Sequence, residues 1–267
     1  MTHHSSSLHI LDQFRREWDE IFVREKGENE VERSEYLSLQ RRTHGAVLSG
    51  SKLLQVNKTL VCILGGRQEN PSLLARDYEV SRSCLTVDIY TGEICQKASM
   101  KEGRDGFGQC LLGHLIYVVG GDSDEKEVDS VERYDLLRDR WSQLPCSLPD
   151  TYTFGITVVA IKLRFVFGFG GYSRDEGCPP YERFLRLDTL TNTPWQSLYI
   201  QNPLFNAGFN YGVFPIQESD DSIEFLVFGG HNSDYACVKS TYVFQTKLTD
   251  FSLSKYQMLR PSANKYQ

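Results

Sequence analysis

An apolar run closed by two glycines occurs four times in this chain, and that recurrence limits what the chain can fold into. The copies are LVCILGG (60–66), LIYVVGG (115–121), RFVFGFGG (164–171) and IEFLVFGG (223–230). Their glycine pairs are Gly65-Gly66, Gly120-Gly121, Gly170-Gly171 and Gly229-Gly230, with successive spacings of 55, 50 and 59 residues. A unit repeating about every fifty residues is one supersecondary module that buries its faces against copies of itself. Each run is too short for a helix and lacks polar alternation, so it reads as a strand covered on both faces. The glycines let the backbone take positive φ and leave that strand where neighbouring chains crowd it.

Aromatic residues recur behind the glycines. Tyr134 follows Gly121 by 13 residues, and Trp141 comes seven later. The third copy has Phe184 and Trp195. The fourth has Tyr242, with Phe251 in the tryptophan's place, and the first has only Tyr90, 24 residues after Gly66. Such flat side chains are expected to fill the space between adjacent modules. The buried strand, double glycine, spaced tyrosine and spaced tryptophan together resemble the kelch family over about residues 40–260. The resemblance implies an all-β fold, a kelch-type β-propeller with four four-stranded blades over 41–267. Strands are expected near 43–49, 60–64, 84–90 and 93–98; 106–112, 115–119, 129–134 and 140–144; 152–160, 164–168, 183–188 and 195–199; and 209–214, 223–228, 240–246 and 252–258.

Kelch propellers usually close with five to seven blades, and four are legible here. Three accounts stay open. The chain is part of a longer or divergent propeller, the favoured reading; or a diverged blade hides in 18–40, with IFV and YLSL as its last strands; or four blades close alone or two chains pair. An open arc exposes an apolar sheet face at its ends, which invites self-association.

Ahead of the repeats, residues 1–40 read as a short helix and a polar connector. Leu11, Phe14, Trp18, Ile21 and Phe22 share one helical face over 8–26. The helix is expected to dock on the propeller, or else to bind a partner or dimerise. The acidic stretch GENEVERSE (27–35) reads as solvated.

The formal charge of -6 gives no basic footprint for nucleic acid. No apolar stretch is long enough to span a bilayer, and the first twenty residues do not read as a secretory signal. The seven cysteines (Cys62, Cys84, Cys95, Cys110, Cys146, Cys178 and Cys237) include no C-x-x-C pair, and several sit in apolar runs. Reduced thiols in a cytoplasmic protein are therefore expected.

Signs of chemistry are few. The chain has no sialidase-type Asp box, no E-x3-D-x3-H iron pattern, no P-loop and no dinucleotide fingerprint. Of the six histidines, only His231, directly behind Gly230, occupies a notable loop position. No catalytic residue, metal site or cofactor is expected.

The loops behind the glycine pairs vary most: RQENPSLLARDYEVSR (67–82), DSDEKEVDS (122–130), YSRDEGCPPYE (172–182) and HNSDYACVKS (231–240). Kelch proteins commonly bind partners through loops at one end of the propeller. The resemblance thus implies Arg67, Tyr172, Arg174, His231 and Tyr235 as partner-binding candidates. Tyrosine and arginine are also enriched at interface hot spots.

The expected function is a non-catalytic protein-interaction scaffold or substrate receptor. Its partner would be another protein, with cytoskeletal (actin-type) and ubiquitin-ligase-type components as the options. The segment before the repeats is too short for the BTB domain of the family's ligase adaptors, which counts against that role. The alternative is a kelch-like enzyme with a metal or carbohydrate site near the propeller axis.

Overall fold

Five-residue apolar strands make the spine of each repeat. In the computed structural model these are β2 (Leu60–Leu64), β8 (Leu115–Val119) and β12 (Phe165–Phe169), with the longer β16 (Ser222–Phe228) in the fourth. The structure describes residues 50–69, 78–124, 126–149, 153–173, 183–191, 193–199, 208–232, 234–249 and 253–259. The helix expected at 8–26, the strand expected at 43–49, Arg174 and Cys178 lie outside them.

Each spine strand is second in a four-stranded antiparallel meander. Blade one orders β1 (Lys52–Gln55), β2, β5 (Cys84–Asp88) and β6 (Ile94–Gln96). Blade two runs β7 (Gly108–Leu112), β8, β9 (Ser130–Asp135) and β10 (Arg140–Ser147). Blade three runs β11 (Thr157–Ile161), β12, β13 (Arg183–Asp188) and β14 (Gln196–Tyr199). Blade four runs β15 (Gly212–Glu218), β16, β17 (Thr241–Lys247) and β18 (Leu253–Leu259). The first strands sit side by side in chain order, β1 by β7, β7 by β11 and β11 by β15.

Four four-stranded sheets match the expected blades, with two differences. The described first strand of blade one is Lys52–Gln55, later than expected. The long loop behind Gly66 holds a two-stranded ribbon, β3 (Arg67–Glu69) paired with β4 (Tyr78–Val80).

Because side chains alternate across a sheet, each blade has one face toward the blade before it and one toward the blade after it. Three apolar layers result. Cys62, Leu64 and Cys84 of blade one meet Ile116, Val118, Tyr134 and Trp141 of blade two. Tyr117, Val119 and Val131 of blade two meet Val158, Val166, Leu185 and Leu187 of blade three. Phe165, Phe167, Phe169 and Phe184 of blade three meet Phe225, Val227, Tyr242 and Phe244 of blade four.

Strand register corrects the aromatic spacing read from sequence. Tyr134 pairs with Ile116, and the same place in the ladder is Val87 in blade one, Leu187 in blade three and Phe244 in blade four. Phe184 and Tyr242 are buried but stand elsewhere in their ladders, because loops of unequal length offset the count. Tyr90, 77% exposed in the turn behind β5, fills no space between blades.

Trp141 and Trp195 are both buried. Trp141 lies 5.0 Å from Tyr134 and donates its indole N–H to the Ala98 carbonyl at 2.7 Å, which ties blade two to the end of blade one.

Candidate functional site

Behind each glycine pair the chain makes the same turn, which sets four residues in equivalent positions: Arg67, Asp122, Tyr172 and His231. In blades two to four that residue pairs with one just ahead of the blade's first strand, as Asp105↔Asp122, Phe154↔Tyr172 and Phe209↔His231. Both backbone bonds of each pair form, at 2.8–3.2 Å. Gly120 and Gly121, with φ of 67° and 97°, permit the turn. A Cβ on Gly121 would stand 2.8 Å from the Asp105 carbonyl oxygen.

Side chains divide this end of the blades into two zones. One is ionic. Arg67 pairs through Nε with Asp105, and one of its terminal nitrogens lies 3.6 Å from Asp122. Both aspartates are buried, so the guanidinium neutralises two carboxylates withdrawn from water. Asp124 accepts from the Val80 backbone at 2.9 Å, joining the ribbon of blade one to the blade-two loop.

The other zone is aromatic. Phe209 stacks on His231 at 5.6 Å and meets Tyr172 at 5.3 Å and Tyr235 at 5.5 Å. Tyr172 and Tyr235 meet edge to face at 5.6 Å. Asn232 accepts backbone N–H bonds from Asp234 and Ala236 through its side chain, and from Tyr235 through its carbonyl. The resulting turn holds Tyr235 at a φ of 57° with its side chain 60% exposed. That conformation is uncommon for a residue with a Cβ.

The structure therefore gathers Tyr172, His231 and Tyr235 into one cluster and sets Arg67 in the neighbouring ionic zone. Phe154, Phe209 and Asp105 were missed by sequence reasoning. Their signal was available, since the residues before each first strand occupy one repeat position.

Two other features stand apart from these zones. Arg104, fully buried, donates to the carbonyls of Gly120 and Ser130 (2.7 and 2.8 Å), to Ser130 Oγ (2.6 Å) and to Glu132 Oε1 (3.0 Å). An open cleft of about 490 Å³ lies at the opposite strand ends between blades one and two, lined by Asn57, Asp88, His114 and Leu137 among others. Among the described residues no three His, Cys, Asp or Glu side chains stand close enough to hold a metal ion, and no helix is long and apolar enough to cross a membrane.

Four consecutive antiparallel blades, each with a double-glycine turn behind its second strand, define a kelch-type β-propeller fold. Residues 103–147 match the kelch motif family model. Kelch-like protein 15 of Homo sapiens is 28% identical over 115 residues, 43% of this chain and 18% of that protein. The Gallus gallus protein of the same name is 25% identical over 43% of this chain and 23% of its own length. The solved structure of YjhT superposes with a TM-score of 0.57 at 13% identity, covering 81% of this chain and 66% of that one, a likeness of fold. The chain thus carries a kelch motif at 103–147, and it spans about a fifth of the length of the curated relatives it matches.

Proposed function

We propose that this chain is a non-catalytic interaction scaffold that binds a partner protein through the double-glycine end of its blades. The observation that carries the reading is the aromatic cluster of Tyr172, Phe209, His231 and Tyr235 beside the Arg67–Asp105–Asp122 group. Aromatic rings held on a rigid sheet give large contact area at little entropic cost. A neighbouring ionic group adds orientation and discrimination between partners. Tyr235 exposes most of its ring while its backbone is fixed, the condition for an anchor residue. Arg67 meets a partner only with the edge of its guanidinium that the two aspartates leave to solvent. Arg174 joins the surface as a candidate on sequence grounds alone. A cytoskeletal protein and a ubiquitin-ligase-type component remain the partner classes of this reading, in a cytoplasmic setting suggested by the free thiols of Cys62, Cys84, Cys95, Cys110, Cys146 and Cys237.

The test places a photo-crosslinking phenylalanine analogue at position 235 and recovers the adduct from cells. The captured protein's affinity is then measured against wild type, Tyr235→Ala and Tyr172→Ala. Loss of about 2 kcal/mol of binding at Tyr235→Ala, with thermal stability unchanged, is the expected result. Equal affinity for all three proteins sinks the proposal.

A further inference from the structure

Blades one and two part at the end opposite the double-glycine turns, and three capped turns border the opening. At the β1–β2 turn the Asn57 side chain accepts from the N–H groups of Thr59 and Leu60, at 2.8 and 2.9 Å. At the β5–β6 turn Asp88 Oδ1 accepts from the N–H groups of Tyr90 and Thr91, both at 2.9 Å. At the β9–β10 turn Asp135 Oδ1 accepts in the same way from Leu137 and Arg138, at 3.0 and 3.2 Å. Such caps fix a turn from within, so the cleft between the three turns is preformed.

The neighbouring junctions show why the opening lies here. The β11–β12 turn reaches the blades on both sides of it. Leu163 lies 3.9 Å from the Cβ position at Gly113 in blade two, and Lys162 donates to the carbonyls of Ser219 and Asp220 in blade four. The β7–β8 turn has Gly113 and His114 at the corresponding place, both exposed. Glycine brings no side chain to reach back with, and the apolar layer between blades one and two meets solvent. Val56 and Leu60 of blade one and Tyr134, Leu136 and Leu137 of blade two line the cleft. Its volume of about 490 Å³ falls within the range of ligand clefts, about 300–1,000 Å³. Leu137, 78% exposed, is an aliphatic side chain held out to solvent by its capped turn.

The charged lining is unequal in sign. Asp88 and Glu93 both line the cleft, and among the described residues neither has an ion-pair partner. Glu93 accepts only the thiol of Cys95, at 3.5 Å. The Thr91 and Tyr90 N–H groups hold the Asp88 carboxyl below its ordinary range, so it is charged at neutral pH. Lys97, the one lysine or arginine of the lining, acts on Asp139. Arg138 is already paired with Asp135 at 3.0 Å, and Lys58 does not line the cleft. Apolar walls edged by two carboxylates that lack a cation complement a ligand that is aliphatic and basic.

We propose that this cleft binds a partner polypeptide through a short segment that sets aliphatic side chains against Leu60, Leu136 and Leu137, and a lysine or arginine against Asp88 and Glu93. The site lies at the other end of the blades from the aromatic cluster, and neither site requires the other to be occupied.

Cys95 lines the cleft and reports on it. The full chain is alkylated with iodoacetamide in the presence of three synthetic peptides: Ser-Leu-Leu-Arg-Ser, a version with glutamate in place of arginine, and a version with serine in place of both leucines. Mass mapping follows Cys95, with the exposed Cys237 as reference. The arginine peptide should slow Cys95 and leave Cys237 unchanged, at concentrations at least about tenfold below those the other two need. Asp88→Asn combined with Glu93→Gln should erase the preference for arginine over glutamate, each variant being compared with its own peptide-free rate. Asparagine still caps the turn at position 88, so the fold is kept. Leu137→Ser should weaken protection by the arginine peptide without lowering the melting temperature, since that side chain is exposed. Tyr235→Ala should leave the protection of Cys95 intact, which separates this site from the aromatic cluster.

Three results overturn the proposal. The first is no protection of Cys95 at millimolar peptide. The second is equal protection by all three peptides. The third is tighter protection by a synthetic peptide of residues 8–26 than by the arginine peptide, which makes the chain's own segment the occupant.

Discussion

Arg104 spends its guanidinium on two carbonyls, a hydroxyl and the Glu132 carboxylate, all out of reach of water. Its truncation would leave Glu132 buried with only the backbone N–H groups of Lys101 and Glu102 as partners. Arg104→Ala should therefore lose about 3–5 kcal/mol in urea unfolding, the usual penalty for stranding half of a buried ion pair. A loss below about 1 kcal/mol would show that the pair contributes only what an exposed one does. A charged residue beside a buried strand looks like any surface residue until the tertiary fold closes over it. Tyr172, His231 and Tyr235 were legible as candidates because they sit at one repeat position or just behind it. Their convergence on Phe209 was not, since it depends on the chain path between blades three and four.

Among the elements, the double-glycine turns make the sharpest comparison. Gly120 and Gly229 have nearly equal φ, 67° and 66°, so alanine at either pays the same left-handed strain, about 1–2 kcal/mol. At Gly120 the new methyl also meets the Thr153 carbonyl oxygen at 2.7 Å, whereas at Gly229 no atom of the described residues lies within 4 Å. Gly120→Ala should thus lower the melting temperature clearly more than Gly229→Ala, and equal effects would show that the first glycine serves conformation alone. Trp141 joins blades by packing and by its bond to Ala98, so Trp141→Ala should cost about 3–5 kcal/mol. A urea midpoint near wild type would mean that the junction is held by the strands alone. The spine strands were readable as apolar runs, and the third strands of blades two to four fell within one residue of expectation. Aromatic equivalence failed in blades three and four, because counting residues along the chain ignores loop length while register does not.

For the molecule as a whole, acid should be destabilising in a defined window. Hydrogen bonds hold three carboxyls below their ordinary range: Asp139 chiefly by the Tyr134 hydroxyl, Asp188 by the Arg164 side chain and Asp88 by the Thr91 backbone N–H. A carboxyl depressed in the fold contributes stability that is fully present above its unfolded pKa, about 3.9, and disappears as pH falls through the lower folded value. Melting temperature should stay nearly flat from neutrality to about pH 5 as far as these groups are concerned, then fall below about pH 4. Asp139→Ala should flatten that fall, and an unchanged acid limb would rule out its share. Burial pushes the thiols of Cys62, Cys84 and Cys110 up to about 11, 12 and 12. A mild alkylating reagent at neutral pH should therefore label the exposed Cys237 in the folded chain and reach those three only with global unfolding. Mass mapping that finds Cys110 labelled as fast as Cys237 would contradict the buried layer between blades two and three.

The repeated glycine pairs and apolar strands determined the module, its number of visible copies and its all-β class, because a buried meander requires that pattern locally in every copy. Only the tertiary structure decided which faces are covered. IEFLVF looks in sequence like its three relatives, yet its burial alternates where β12 is buried throughout, and burial is a property of neighbours rather than of the strand. The same holds for the site. Sequence could nominate loop residues one by one, but the aromatic cluster and the Arg67–Asp105–Asp122 group exist because strand pairing brings each blade's entry beside its own double-glycine turn.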